Sequence, residues 1–368
     1  MAAFMANTTL PLLSTSLGAS VTTVGIITST FTLSALLVRP FAGPAFDSFS
    51  RRRMLLASQA VIAVSMFLYG IADSVGMLVA IRLLHGIGIG CGGPVAMSLV
   101  SEFLPNDRFA SGISIYTLAQ SVAQVVGPAI GLSLFASIGP SVTYFLACGS
   151  VCLAMIGVVF VKEPYRERLP YRLKLDRMFA KEAVLQALAL MLLAVSFSCM
   201  TSYVVLYGME RGIEDMSVFF VVYAMCLLGT RPLFGTLADR VSTPRMLVVG
   251  VAFFAASYVT LSASSELWTF VLAAILGSAG FGCCAPLLQS FALAAVPESR
   301  RGAASNTTFT GLDLGMLIGP TLGGFVVESV AVSTGALAEA YSVMWLVMLV
   351  PAFGTLAISV HWILASRR

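Results

Sequence analysis

Long apolar stretches separated by short polar connections run the length of the chain, near residues 1–13, 21–45, 54–72, 75–101, 108–136, 141–161, 183–208, 215–238, 245–263, 267–296, 302–328 and 337–364. About 20 apolar residues of helix cross the roughly 30 Å hydrocarbon core of a bilayer. The runs are continuous rather than alternating, which predicts helices and argues against the strands of a barrel. The first stretch, Met1 to Leu13, is too short to span and has no basic leader before it. It reads as a helix whose beginning precedes the sequence, not as a cleaved signal peptide.

Composition strengthens this picture. Hydrophobic residues make up 58% of the 368 and charged residues only 10%, with a mean hydropathy of +0.95. A soluble domain carries about 25% charged residues, so this chain could not cover itself with polar groups in water. Lipid removes that demand. The seven cysteines (Cys91, Cys148, Cys152, Cys199, Cys226, Cys283 and Cys284) all fall inside apolar stretches without metal-ligand spacing. They read as free packing residues. No metal, cofactor or nucleic-acid partner is expected.

The charges sort by side. Arg51, Arg52 and Arg53 follow the second stretch, Arg108 the fourth, and Arg240 and Arg245 the eighth. Arg300 and Arg301 follow the tenth, and Arg367 and Arg368 the twelfth. Lys162, Arg166, Arg168, Arg172, Lys174, Arg177 and Lys181 follow the sixth. The opposite loops hold Arg211 against Asp73, Glu210, Glu214, Asp215, Glu266, Glu328 and Glu339. The positive-inside rule then places both termini in the cytoplasm. The basic stretch reads as a solvated cytoplasmic linker over 162–182, with membrane lipid headgroups as a further partner.

The chain repeats itself. Arg39-Pro40 recurs 192 residues on as Arg231-Pro232, Gly43 as Gly235, Asp47 as Asp239, and Arg53-Met54-Leu55 as Arg245-Met246-Leu247. Gly88, Gly90, Cys91 and Pro94 recur as Gly280, Gly282, Cys283 and Pro286, and Gly127-Pro128 with Gly131 as Gly319-Pro320 with Gly323, all in the same register. A duplication explains this. The predicted fold is an all-α membrane protein of about twelve transmembrane helices in two pseudo-symmetric six-helix halves, 1–161 and 183–368. Parallel repeats of this kind are a transporter architecture.

Several motifs carry a resemblance. Gly43-Pro44-Ala45-Phe46-Asp47 followed by Arg51-Arg52-Arg53 resembles the loop 2–3 signature of the major facilitator superfamily. Gly235-Thr236-Leu237-Ala238-Asp239-Arg240 with Arg245 is similar to its loop 8–9 echo. Arg82-Leu83-Leu84-His85-Gly86-Ile87-Gly88 resembles the fourth-helix motif, and Gly127-Pro128-Ala129-Ile130-Gly131 the fifth-helix motif of the exporters, including the drug and sugar efflux branch. The sequence departs from the pattern at Ser48 and at His85, where many members carry Arg and Gln. The resemblance implies that Asp47 meets the positive end of a helix from the other half, while Arg51 or Arg52 pairs with Glu102 in a gate that also involves Gly43, Gly235, Asp239 and Arg245.

The string Gly88-Ile89-Gly90-Cys91-Gly92-Gly93 matches a dinucleotide fingerprint by letter. It lies inside an apolar helix, so close helix packing is the reading it supports. Gly127-Pro128 and Gly319-Pro320 are expected to bend their helices. Ionisable residues at membrane depth are functional candidates by default. Arg82, His85 and Asp313 are the coupling candidates, with a hydrogen-bonded structural role as the competing account, while Arg39 and Arg231 are read as snorkelling. Asn7, Gln120, Gln124, Tyr203, Tyr207, Gln289, Asn306 and Thr310 are the cavity candidates that the family fold implies.

The expected function is secondary active transport by alternating access: proton-coupled efflux of a small organic compound by a monomer in a prokaryotic cytoplasmic membrane. Uptake symport of a small, anionic metabolite is the alternative within transport, and a transporter-like sensor or scaffold the alternative outside it. No Walker lysine motif is present, and His85 and His361 lack the partners that an enzyme would need.

Overall fold

The computed structural model describes residues 1–19, 21–165, 169–174, 178–213, 216–238 and 240–365. Among them lie α1 (Ala2–Ser16), α2 (Val21–Ser48), α3 (Arg51–Gly70), α4 (Val75–Val100), α5 (Phe109–Ile138) and α6 (Pro140–Phe160). After the linker follow α7 (Val184–Glu210), α8 (Ser217–Ala238), α9 (Thr243–Ser262), α10 (Leu267–Ala294) and α11 (Arg301–Thr334). The last apolar stretch is broken at Met348 into α12 (Leu337–Val347) and α13 (Leu349–Ala365). Ten segments among the described residues are long and apolar enough to cross a membrane. Their surfaces invert the soluble pattern. Leu153, Phe160, Phe325 and Val332 face outward, whereas Asp47, Arg51, Arg82 and His85 are buried. The chain is an integral membrane protein, all helical among the described residues.

Two compact units divide the chain. The first comprises Met1–Phe103, Ala119–Lys181 and Val296–Thr307. At its centre α4 packs on α2 and α3 through alternating glycines. A methyl group at Gly86 would meet the Phe31 carbonyl at 2.5 Å, and one at Gly90 the Ala35 backbone at 2.9 Å, both on α2. Gly88 and Gly92 turn the other way, toward Ile62 and Ser58 of α3. Residues two apart on a helix point about 200° apart, so a run of alternate glycines opens two faces at once. Gly127 and Gly131 of α5 form a notch for α1, where added methyls would meet Phe4, Met1 and Met5.

The second unit comprises Leu104–Leu118, Glu182–Ala295 and Thr308–Arg368. Its large core includes Leu193, Met200, Phe254, Phe270, Leu288 and Trp345. Here Gly280 of α10 lies against Phe254 of α9. Gly88 and Ile62, each 192 residues earlier, make the same contact in the first unit. Gly311, Gly315, Gly319 and Gly323 of α11 seat that helix on Ala187, Met191, Val195 and Cys199 of α7. The Gly-Pro motifs thus act as packing notches, within helices that run on past Pro128 and Pro320.

Gly280→Ala should destabilise the protein. The added methyl would sit 2.5 Å from the Phe254 backbone nitrogen, which cannot turn aside. Overpacking of about 1–3 kcal/mol outweighs a helix-propensity gain of about 1 kcal/mol. Gly149→Ala, which meets nothing within 4 Å, should be neutral or mildly stabilising. Thermal unfolding of the purified variants in one detergent compares them.

Candidate functional site

A charged cluster forms where α2 ends, and α3 is where it begins. Two residues separate the helices, and Ser50 caps α3 by accepting from the Arg53 amide at 3.2 Å. This places Asp47 and Arg51 one turn apart with their side chains facing inward. The Arg51 guanidinium is sealed from solvent and bonds to Glu102 at 2.7 Å and Asp47 at 3.2 Å. It also donates to the carbonyls of Phe46, Ser98 and Glu298. Such saturation is what a buried guanidinium needs, because its five donors cannot otherwise be satisfied.

Asp47 completes the cluster. Its carboxylate accepts from the Gly302 amide at 2.8 Å and the Ala303 amide at 3.0 Å, in the first turn of α11. These are orphan donors at the positive end of a helix, and a carboxylate there forms charge-assisted bonds. Gly302 permits the approach, since a methyl group there would run into Asp47 Oδ1 and lie 2.5 Å from Phe46 Cβ. Arg301 donates to the Ser101 carbonyl at 2.7 Å, and Ser305 to the Pro94 carbonyl at 2.9 Å. The first turns of α11 are therefore bonded along the ends of α2 and α4.

The linker joins this cluster and is not merely solvated. Glu163 accepts from the Arg51 amide at 2.8 Å and from the Ser50 hydroxyl. The Leu169 amide donates to the Asp47 carbonyl at 3.2 Å. The Met178 carbonyl accepts from Asn306 Nδ2 at 3.3 Å, and the Ala180 amide donates to Thr307 Oγ1 at 2.9 Å. Gly43 lies so close under the Met178 carbonyl that a methyl group would overlap it. The polar composition of the linker gave no sign of this, because most of these bonds use backbone atoms. Arg166, Arg168 and Arg177 lie outside the described residues.

Of the paired arginines, Arg51 meets Glu102, while Arg52 donates to the Val159 carbonyl. The second copy of the motif is built differently. Gly235 packs on Ser114 and Ser111, Arg245 is exposed, and Asp239 lies outside the described residues. The positions 192 residues after Arg51 and Glu102 are Thr243 and Ala294, so the buried ion pair has no counterpart there.

A second polar cluster lies on α4. Arg82 Nη2 donates to Asn7 Oδ1 of α1 at 2.8 Å, and the guanidinium carbon stacks 4.4 Å from the centre of the Phe31 ring. His85, one turn on, is held edge-on by Phe31 at 5.1 Å and Tyr69 at 5.9 Å. Tyr69 stacks near Tyr144, whose hydroxyl accepts from Thr9 at 3.0 Å. Arg39, read in sequence as snorkelling, is instead 2% exposed and donates to the Gly90 carbonyl at 3.4 Å. The side chain of Arg231 lies outside the described residues.

The remaining candidates scatter. Asn306, expected in the cavity, is buried beside the Asp47 cluster and donates to the Arg39 carbonyl at 2.8 Å. Tyr203 donates to the Pro320 carbonyl at 2.7 Å, and the Tyr207 hydroxyl to the Ser264 carbonyl at 2.9 Å. Gln289 is buried, Gln120 half-buried and Gln124 exposed. Thr310 and Asp313 are half-buried on α11. Asp313 lies two positions from both Gly311 and Gly315, hence on the side of α11 turned away from α7.

Known proteins resemble the chain throughout. The family model of the Major Facilitator Superfamily matches residues 1–230 and 213–368. The staphylopine export protein of Staphylococcus aureus (strain Mu50 / ATCC 700699) is 23% identical over 239 residues, covering 61% of this chain and 59% of that protein. An uncharacterized MFS-type transporter of Burkholderia mallei (strain SAVP1) is 27% identical over 324 residues, covering 84% of this chain and 78% of that one. The crystal structure of FucP, a transporter of the same superfamily in the outward conformation, superposes with a TM-score of 0.76 at 15% identity, over 96% of this chain and 95% of that one.

Arg51→Gln should cost about 3–5 kcal/mol, because it strands two buried carboxylates. Arg51→Gln and Glu102→Gln should be non-additive by roughly 0.5–3 kcal/mol. Denaturation of the two single variants and the double variant closes the cycle.

Proposed function

The chain belongs to the major facilitator superfamily, and from that premise we propose that it is a secondary active transporter that exports a small organic compound in exchange for protons. Alternating access needs a contact that holds one side shut and can be broken without unfolding a helix. The bonding of Asp47 to the Gly302 and Ala303 amides is the observation that carries this reading. It joins the end of α2 to the first turn of α11 through two bonds and one charge. Water can replace both partners once the turn lifts, because they are orphan groups of a helix end and a carboxylate. Arg51 and Glu102 position that carboxylate, and the Met178 and Ala180 bonds brace the same turn from the linker side.

Export is favoured by the Gly-Pro motif and its notch for α1, and by the similarity to the staphylopine export protein. Both termini and the linker are assigned to the cytoplasmic side, so the Asp47 latch closes the cytoplasmic entrance of a bacterial inner-membrane protein. Asp313 is the assigned proton carrier. It is the carboxylate in the middle of α11, half-buried and turned away from the α7 packing face, whereas Glu328 lies near the end of the helix.

Asp47→Asn keeps the shape of the side chain and removes its charge. It should raise the rate at which an impermeant maleimide labels a cysteine at Ser305 from the cytoplasmic face, and Thr307→Val should do so more weakly. Labelling equal to that of the parent would overturn the latch. Asp313→Asn should leave the protein folded while abolishing the dependence of transport on an imposed pH gradient in inside-out vesicles. Retained dependence would remove Asp313 from the coupling.

A further inference from the structure

We propose that Arg82, His85 and Tyr69 form a binding site for a small monoanion, filled either by a carboxylate of the cargo or by a free halide. Among the described residues, Arg82 carries a charge with no counter-charge beside it. Arg82 is 2% exposed, and among the described residues it meets neutral groups, the Asn7 amide oxygen, the face of the Phe31 ring and the neighbouring Tyr69. Its Nε and Nη1 are buried without a hydrogen-bond partner. The same holds for both ring nitrogens of His85 and for the Tyr69 hydroxyl, all on residues no more than 1% exposed. Five unpartnered polar atoms thus lie in one sealed region, and four of them can donate at once, because a neutral imidazole carries a single N–H.

Among the described residues, the surroundings supply no acid to answer them. α1 contributes Asn7 and Thr9, α2 contributes Phe31, α3 contributes Tyr69 and α6 contributes Tyr144. None of these carries a negative charge. A buried lysine or histidine could relieve such a position by giving up its proton, but a guanidinium keeps its charge. A lone cation at membrane depth is costly, and the cost falls when an anion pairs with it. The contrast with Arg51 is internal to the protein, since that equally buried arginine has two carboxylates. The donors at Arg82 suit an acceptor with no protons of its own. The planar fork fits a carboxylate edge, and a halide offers the same charge without direction.

Access runs through α1. Asn7 is the exposed member of the cluster, and its amide occupies one arm of the Arg82 fork. The other nitrogens are sealed in the conformation described here, so the anion enters when that amide swings aside. The helix bearing Asn7 rests in the notch of Gly127 and Gly131. The carboxylate case deepens the transport reading, on which it rests, by giving the cargo an anionic group; the halide case stands without it.

The test uses the purified full chain in detergent with no gradient and no cargo. Thermal unfolding is followed while sodium acetate or sodium chloride is added, against equal ionic strength of the bulky sulfonate MES. A saturable rise in the unfolding midpoint with acetate or chloride, weakened at least tenfold in Arg82→Gln and several-fold in His85→Gln, supports the site. Acetate binding at least tenfold tighter than chloride assigns it to a carboxylate of the cargo, and the reverse or equal order assigns it to a halide. Neither anion exceeding MES in the parent protein overturns the proposal, as does an undiminished response in Arg82→Gln. Should Arg82→Gln not fold, Asn7→Ala decides, because removing the competing amide should tighten binding and an unchanged affinity overturns the site. Failure here leaves the Asp47 latch and its labelling assay untouched, and failure of the latch leaves the binding curves untouched.

Discussion

Within a bilayer, a buried polar group cannot turn to water, and that constraint organises this protein. Backbone groups are satisfied inside the helices, which leaves side chains and helix ends as the only polar groups that need partners. At Asp47 the need is met by pairing two deficits: a buried carboxylate lacks donors, and the first turn of α11 has donors to spare. Arg51 then becomes necessary, since it balances Asp47 and Glu102 while filling its own donors from three carbonyls. The same constraint makes Arg82 conspicuous, because there the deficit is left open on one side only.

Close packing follows from a second consequence of lipid. Apolar surface gains little by leaving apolar solvent, so helices associate through dispersion contacts, which reward small residues at the interface. The glycines of α4, α10 and α11 are spent in this way, each facing a neighbouring backbone. The duplicated contact of Gly88 with Ile62 and of Gly280 with Phe254 shows one packing solution used twice. The ion pair of Arg51 with Glu102 was not duplicated with it. Thr243 and Ala294 stand where Arg51 and Glu102 stand in the first copy, so that pair is specific to one half of the sequence.

The linker illustrates how backbone atoms can make specific long-range contacts without a motif. Its bonds through Leu169, Met178 and Ala180 are made by main-chain groups, which every residue type offers. The visible trace is on the other partner: Gly43 must be a glycine because the Met178 carbonyl lies against it. The family signature and the linker are two sides of one contact.

The periodicity of apolar runs, the sidedness of arginines and the repeat of 192 residues together determined the helical membrane architecture, since each depends only on local composition and order. Asp47, Arg51 and Glu102 were legible as a charged group for the same reason: rare charges beside apolar runs stand out. What the sequence could not decide is which arginine pairs and which stays alone. Arg39, Arg51, Arg52 and Arg82 look alike along the chain, yet one meets a glycine carbonyl, one two carboxylates, one the Val159 carbonyl and one a neutral amide and a phenyl ring. Asn306 and Tyr203 likewise read as cavity residues and prove to bond carbonyls. Apart from Asp47, one turn from Arg51, those partners lie tens to hundreds of residues away and are often main-chain atoms, so only tertiary packing brings them within hydrogen-bonding distance.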